Sequence, residues 1–148
     1  MDYAKISTGY FMKGYNCAQS VLVTFAPQLG LEEEYCFKLA AGFGAGLGYR
    51  GEMCGAVTGA YMVLGLKYGF TEPGDSSKRE KTQEKITEFI RRFKEKHGSV
   101  SCKELINADV SDPKQLIRAR EMNIFRNENL CPKFIADAAE ILKVLLRG

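Results

Sequence analysis

Apolar and polar positions recur with helical spacing from one end of the chain to the other, and no stretch shows the alternation of a half-buried strand. Over residues 2–14, Tyr3, Ile6, Tyr10 and Phe11 fall on one side and predict an amphipathic helix that stops at Gly14. Asn16 and Gln19 have the spacing of a capping box. They open a second helix with Val21, Leu22 and Phe25 inward, disrupted at Pro27 and stopped by Gly30. A third, Glu32 to Ala41, carries acidic residues in its first turn, where the helix dipole favours them. From Cys54 to Tyr68 small residues recur at Gly55, Ala56, Gly59 and Ala60, which lets another backbone approach closely; this predicts the central, most buried helix.

After the turn Glu72–Asp75, Ser77 and Glu80 predict a capping box for a helix to His97. Ile86, Phe89, Ile90 and Phe93 face inward there, and Lys, Arg and Glu face solvent. Ser101 and Glu104 repeat the device for a short turn through Ile106. Asp112, with Pro113 at the first position, starts a helix to Phe125. The last helix runs from Cys131–Pro132 to Leu146, with Cys131 at the cap position. Its face of Phe134, Ile135, Ala138, Ala139, Ile141, Leu142 and Leu145 is broad enough for a deeply packed helix or a homodimer contact. The expectation is one all-α domain over residues 1–148, a compact bundle of about six to seven helices around a glycine-rich loop.

That loop is the anomaly. Between Gly42 and Gly59, seven of eighteen residues are glycine, a density used where backbone turns through positive φ or something approaches the main chain closely. No strand precedes it, as a dinucleotide fingerprint requires, and it lacks the Gly-Lys-Ser/Thr of a P-loop. Close packing around Cys54 is therefore the expected role of these glycines, with Gly51, Gly55 and Arg50 the nearest candidates to contact a cofactor.

Composition narrows the function classes. A 148-residue chain can bury a core without staples, and its net charge of +3, with basic and acidic residues interleaved, gives no nucleic-acid footprint. The most apolar run, Cys54 to Leu66, is too short to span a membrane. The N-terminus lacks the basic-then-apolar pattern of a signal peptide, which predicts a cytoplasmic protein with reduced thiols. His97, the only histidine, sits before Gly98, where a cation caps a helix C-terminus better than it serves a hydrolytic triad.

In such a setting five cysteines point to metal or redox chemistry rather than to a disulfide framework. Cys36 lies mid-helix between Tyr35 and Phe37 and reads as a small buried hydrophobe. The other four, Cys17, Cys54, Cys102 and Cys131, all fall at predicted helix N-termini. Free amides and the positive dipole end there favour a thiolate, the form that attacks disulfides and binds metals. The alternative is four scattered core thiols. No CxxC pair exists, so a shared site must be assembled by folding.

The order Cys17, then Cys54-Gly55-Ala56-Val57-Thr58-Gly59, then Cys102, then Cys131 resembles the C-GCAxxG-C-C family of redox-active proteins. The flanks GFGAGLGYRGEM and YMVLGLKYG resemble that family's central block, and Cys36 has no counterpart in the pattern. The resemblance implies a small helical redox protein with its site at those four cysteines. A related region of split-Soret-type cytochromes, where such cysteines accompany an iron–sulfur cluster, extends it. Two forms follow: the four thiolates hold a cluster, 2Fe–2S by preference over zinc, or they cycle between dithiol and disulfide with Cys54 attacking. Covalent haem is not expected, because CxxCH is missing. A redox partner protein is expected. The rival class is a non-redox structural or binding module with a four-cysteine zinc site or inert buried thiols.

Overall fold

In the computed structural model, which describes residues 1–147, helices form where the apolar spacing places them. They are α1 (Tyr3–Met12), α2 (Cys17–Phe25), α3 (Glu33–Ala40), α4 (Gly55–Tyr68), α5 (Ser76–His97), α6 (Cys102–Ile106), α7 (Pro113–Glu121) and α8 (Cys131–Leu145). Among the described residues there is no β-strand, so the chain is all-α as expected.

The caps explain where the boundaries fall. Asn16 and Gln19 make the reciprocal capping box at α2. Asp75, not Ser77, caps α5, its carboxylate accepting from the Lys78 N–H at 3.0 Å. Ser101 makes no side-chain cap on α6. The Ser99 Oγ braces the approach to the helix, donating to Glu104 Oε2 at 2.7 Å and accepting from the Ser101 N–H at 3.0 Å. Asp112 caps α7 as expected, but the helix stops at Glu121, short of Phe125, because Asn123 turns left-handed (φ 55°). Leu130 precedes α8, so Cys131 is its first helical residue rather than its cap.

At the centre α2 lies against α4. A Cβ on Gly59 would stand 2.8 Å from the Ala18 carbonyl oxygen and 3.1 Å from Val21 Cβ, so only glycine permits this approach. The small-residue stripe of α4 thus faces α2, as its spacing implies. The most enclosed helix, however, is α2, where every residue but Gln19 is buried; α4 exposes Leu66. Phe89 and Phe93 fix α5 to this core, with the rest of α5 largely solvated. The broad face of α8 is consumed within the chain against α1, α2, α4 and α5, with Ile135, Ala138, Ala139 and Leu142 fully buried. The homodimer expectation therefore loses the face that motivated it. Among the described residues no helix is long and apolar enough to cross a membrane.

His97 does something other than cap. Its ring sits between Phe93 and Phe134, with centroids 4.8 and 4.9 Å away, and its Nε2 lies 2.9 Å from Asp137 Oδ2 on α8. Burial holds the imidazole below its usual range, opposed by Asp137.

Candidate functional site

Each of the four cysteines singled out by the helix starts stands where a helix begins: Cys17, Cys102 and Cys131 as first residues of α2, α6 and α8, and Cys54 immediately before α4. All four line one cavity of about 440 Å³. Cys36 lies apart from it, fully buried, its Sγ 3.6 Å from the Leu31 carbonyl oxygen.

The cysteines arrive as two pairs, each held by a different device. Met53 and Ser101 form an isolated antiparallel bridge. Beside it the Cys54 N–H donates to the Val100 carbonyl at 2.7 Å, and the Cys102 N–H donates to the Glu52 carbonyl at 2.6 Å. Because side chains alternate across an extended segment, Cys54 and Cys102 share the face opposite Met53 and Ser101. The second pair is Cys17 and Cys131, brought together by the starts of α2 and α8, each the other's strongest electrostatic neighbour. None of the five cysteines is in a disulfide.

Asn16 is the residue that places Cys17. Its Oδ1 accepts from the Gln19 N–H at 2.8 Å, and its Nδ2 donates to the Ala40 and Ala41 carbonyls at 3.1 and 3.2 Å. One side chain therefore caps α2 and ties it to the end of α3. Asn16→Ala is expected to lower stability by about 1–3 kcal/mol, combining a lost cap with two unpaired carbonyls. The midpoint of urea unfolding measures this. A loss within about 0.5 kcal/mol, the range of an ordinary surface substitution, would remove Asn16 from that role.

The glycine run has a handedness. Ala45, Gly46, Leu47, Gly48 and Tyr49 all have positive φ, between 51° and 77°. Gly44 closes this left-handed turn, its carbonyl accepting from the Gly48 and Tyr49 N–H groups at 2.8 and 3.0 Å. Each non-glycine residue there costs about 1–2 kcal/mol relative to the right-handed form. Glycines then let the turn sit against the site. A Cβ on Gly46 would meet the Glu52 nitrogen at 2.5 Å and Cys102 Cβ at 2.8 Å; one on Gly55 would meet Cys17 Cβ at 2.8 Å.

Of the expected cofactor contacts, Gly55 lines the cavity. Arg50 is exposed, Gly51 is packed near Asp109 and Lys103, and neither lines it. The charged side chain that does line it is Arg126, whose guanidinium makes one long hydrogen bond, 3.4 Å to the Met12 carbonyl. Nothing in the sequence around Arg126 marks it out, because the 3₁₀ turn Ile124–Arg126 carries it to the site only after α7 ends early.

Burial opposes the helix-start effect at these sulfurs. The helix-start amides of Ala56 and Val57 lower Cys54, but burial outweighs them and pushes the thiol up to about 12. Burial, joined by Cys131, likewise pushes Cys102 up to about 12. Cys17 is raised by the neighbouring Cys131 and by burial. Cys131 alone is lowered: the Cys17 thiol stabilises its thiolate by more than burial opposes it.

As a donor set, four thiols with amides at their helix starts suit an iron–sulfur cluster in kind. Their placement is two pairs around a cavity. Among the described residues no three Cys, His, Asp or Glu side chains are drawn together to hold a metal ion.

A family model described as "Putative redox-active protein (C_GCAxxG_C_C)" matches residues 15–145, a span that contains all four paired cysteines. No curated protein and no solved structure matches the chain.

Proposed function

Since this chain belongs to the C_GCAxxG_C_C family of redox-active proteins, we propose that its cavity is a thiol–disulfide redox centre in which Cys131 attacks and Cys17 resolves. The observation that carries this reading is the single cavity lined by all four cysteines, in which Cys17 and Cys131 are each other's strongest electrostatic neighbours. The Cys131 thiolate attacks one sulfur of a disulfide R–S–S–R and expels R–S⁻, which takes a proton. Cys17 then loses its proton, attacks the Cys131 sulfur of the mixed disulfide and expels the second thiolate. The balance is two protein thiols oxidised to a disulfide and one substrate disulfide reduced to two thiols.

The test is the pH profile of alkylation at Cys131 by iodoacetamide, read by peptide mass. A thiolate stabilised in the folded protein is present at lower pH than an ordinary thiolate, so Cys131 should reach half its maximal rate below the pH typical of free cysteine. Cys17→Ala removes that neighbour and should move the midpoint upward. A midpoint unmoved by Cys17→Ala would overturn the pairing.

A second reading has its own support: the Ala56 and Val57 amides at the start of α4 favour a charged sulfur at Cys54, as amides near cluster sulfurs do. An iron–sulfur cluster, 2Fe–2S by preference, would be held by Cys17, Cys54, Cys102 and Cys131 and would supply one-electron transfer. About two iron and two sulfide per chain in anaerobically prepared protein, as such a cluster requires, would favour it over the dithiol form. About one zinc would mark a closed structural site.

A further inference from the structure

From the depth of the sulfurs and the charge at the cavity we infer the class of substrate: a low-molecular-weight disulfide bearing an anionic group, its sulfurs at the Cys17–Cys131 pair and its anion on Arg126. The inference rests on the thiol-exchange reading above. Three observations support it.

The first is access. Cys17, Cys54, Cys102 and Cys131 are only 8%, 5%, 6% and 6% exposed. A disulfide carried on a folded protein cannot bring its sulfur into line with an attacking sulfur recessed this far, whereas a small molecule can enter. The second is volume. At about 440 Å³ the cavity lies in the range of small-molecule sites and encloses a molecule of a dozen or so heavy atoms. The third is charge. Among the residues that line the cavity Arg126 is the single charged one. It forms no ion pair among the described residues, and its one hydrogen bond, to the Met12 carbonyl at 3.4 Å, leaves most of its donor fork free. That fork matches a carboxylate in geometry as well as in sign. The aromatic side chains Tyr15, Tyr49 and Phe125 line the same cavity and suit the apolar stem between the two ends of such a molecule.

The exchange is the one already balanced, with R an anionic alkyl group. Arg126 fixes the far end so that one sulfur of the pair faces Cys131, and each released thiol leaves with its own carboxylate. Arg126 touches the substrate without taking part in the sulfur chemistry, so it sets preference among disulfides.

Three disulfides of similar length but different charge test this: 3,3′-dithiodipropionate (anionic), bis(2-hydroxyethyl) disulfide (neutral) and cystamine (cationic), with insulin as a protein disulfide. Each is mixed anaerobically with reduced full-length protein. The rate of Cys17–Cys131 oxidation is read by peptide mass and normalised to the rate of the same disulfide with free dithiothreitol. The anionic compound should react about fivefold faster than the neutral one, the size of an exposed charge-assisted contact, and cystamine slower than either. Arg126→Gln should bring the three normalised rates together, and Arg126→Lys should restore part of the spread; circular dichroism confirms that both variants fold. Insulin should not react on the same timescale.

Equal normalised rates in the wild type, a preference that survives Arg126→Gln, or insulin reacting as fast as the small compounds would each overturn the substrate assignment. The parent reading fails differently. If diamide, which oxidises vicinal thiols without needing an anion site, cannot form the Cys17–Cys131 disulfide, thiol exchange at this pair is wrong. If diamide forms it and the three disulfides are not distinguished, only the substrate class is wrong.

Discussion

Alanine at Gly46 is expected to lower stability by about 2–5 kcal/mol, the sum of left-handed backbone strain and overpacking. Gly46 has φ 73°, and its missing Cβ is the gap into which the Glu52 nitrogen and Cys102 Cβ fit. Backbone cannot yield there, because Glu52 is held by the bridge that pairs Cys54 with Cys102. A loss of this size is a large fraction of the roughly 5–15 kcal/mol that holds a typical domain together. Gly30→Ala is the comparison: its φ is 96°, but nothing stands within 4 Å of its Cβ position, so only the backbone term of about 1–2 kcal/mol applies. Urea unfolding of both variants measures the difference, and Cys102 in Gly46→Ala should alkylate faster than in the wild type. Equal losses in the two variants would show that the turn does not press on the site.

The second large effect is chemical. Cys131→Ser should slow exchange with small disulfides by about a thousandfold or more, as removal of a nucleophile does, and should abolish the reversible loss of two thiols under mild oxidation. Cys54→Ser should retain the Cys17–Cys131 oxidation, and Cys36→Ala, outside the cavity, should leave it at the wild-type rate. If instead Cys131→Ser keeps the reaction and Cys54→Ser loses it, the attacking sulfur is Cys54, and its Ala56 and Val57 amides outweigh its burial.

What can be read from the chain alone follows from which interactions are local. The helix starts are legible because a cap is a matter of a few neighbouring residues: Asn16 with Gln19, Asp112 with Pro113. Where two plausible caps lie close together, as Asp75 and Ser77 do, spacing alone does not rank them. The glycine density marks an unusual backbone, yet not its handedness, since alternate glycines fit a left-handed turn and a loose loop equally well. The Met53–Ser101 bridge is invisible in the sequence because one residue pair has no period. The poise of the cysteines does not follow from helix termini either. Those termini act on Cys54 as expected, but desolvation is set by the assembled fold around the sulfur, which no local pattern carries. Arg126 escapes notice for the same reason: its importance lies in the emptiness of charge around it, a property of the assembled wall.

The Cys17–Cys131 pair joins a helix near the beginning of the chain to the one near its end. A covalent bond there would close a loop of more than about 100 residues, and cross-links of that reach hold an unfolded chain back by about 4.7 kcal/mol in the chain-entropy account. Openings that expose the backbone to proteases would become correspondingly rarer. A population of molecules caught in the oxidised form would then outlast its reduced neighbours during degradation. The cell's oxidant history would be written in how long each copy survives, independently of how many turnovers it performs.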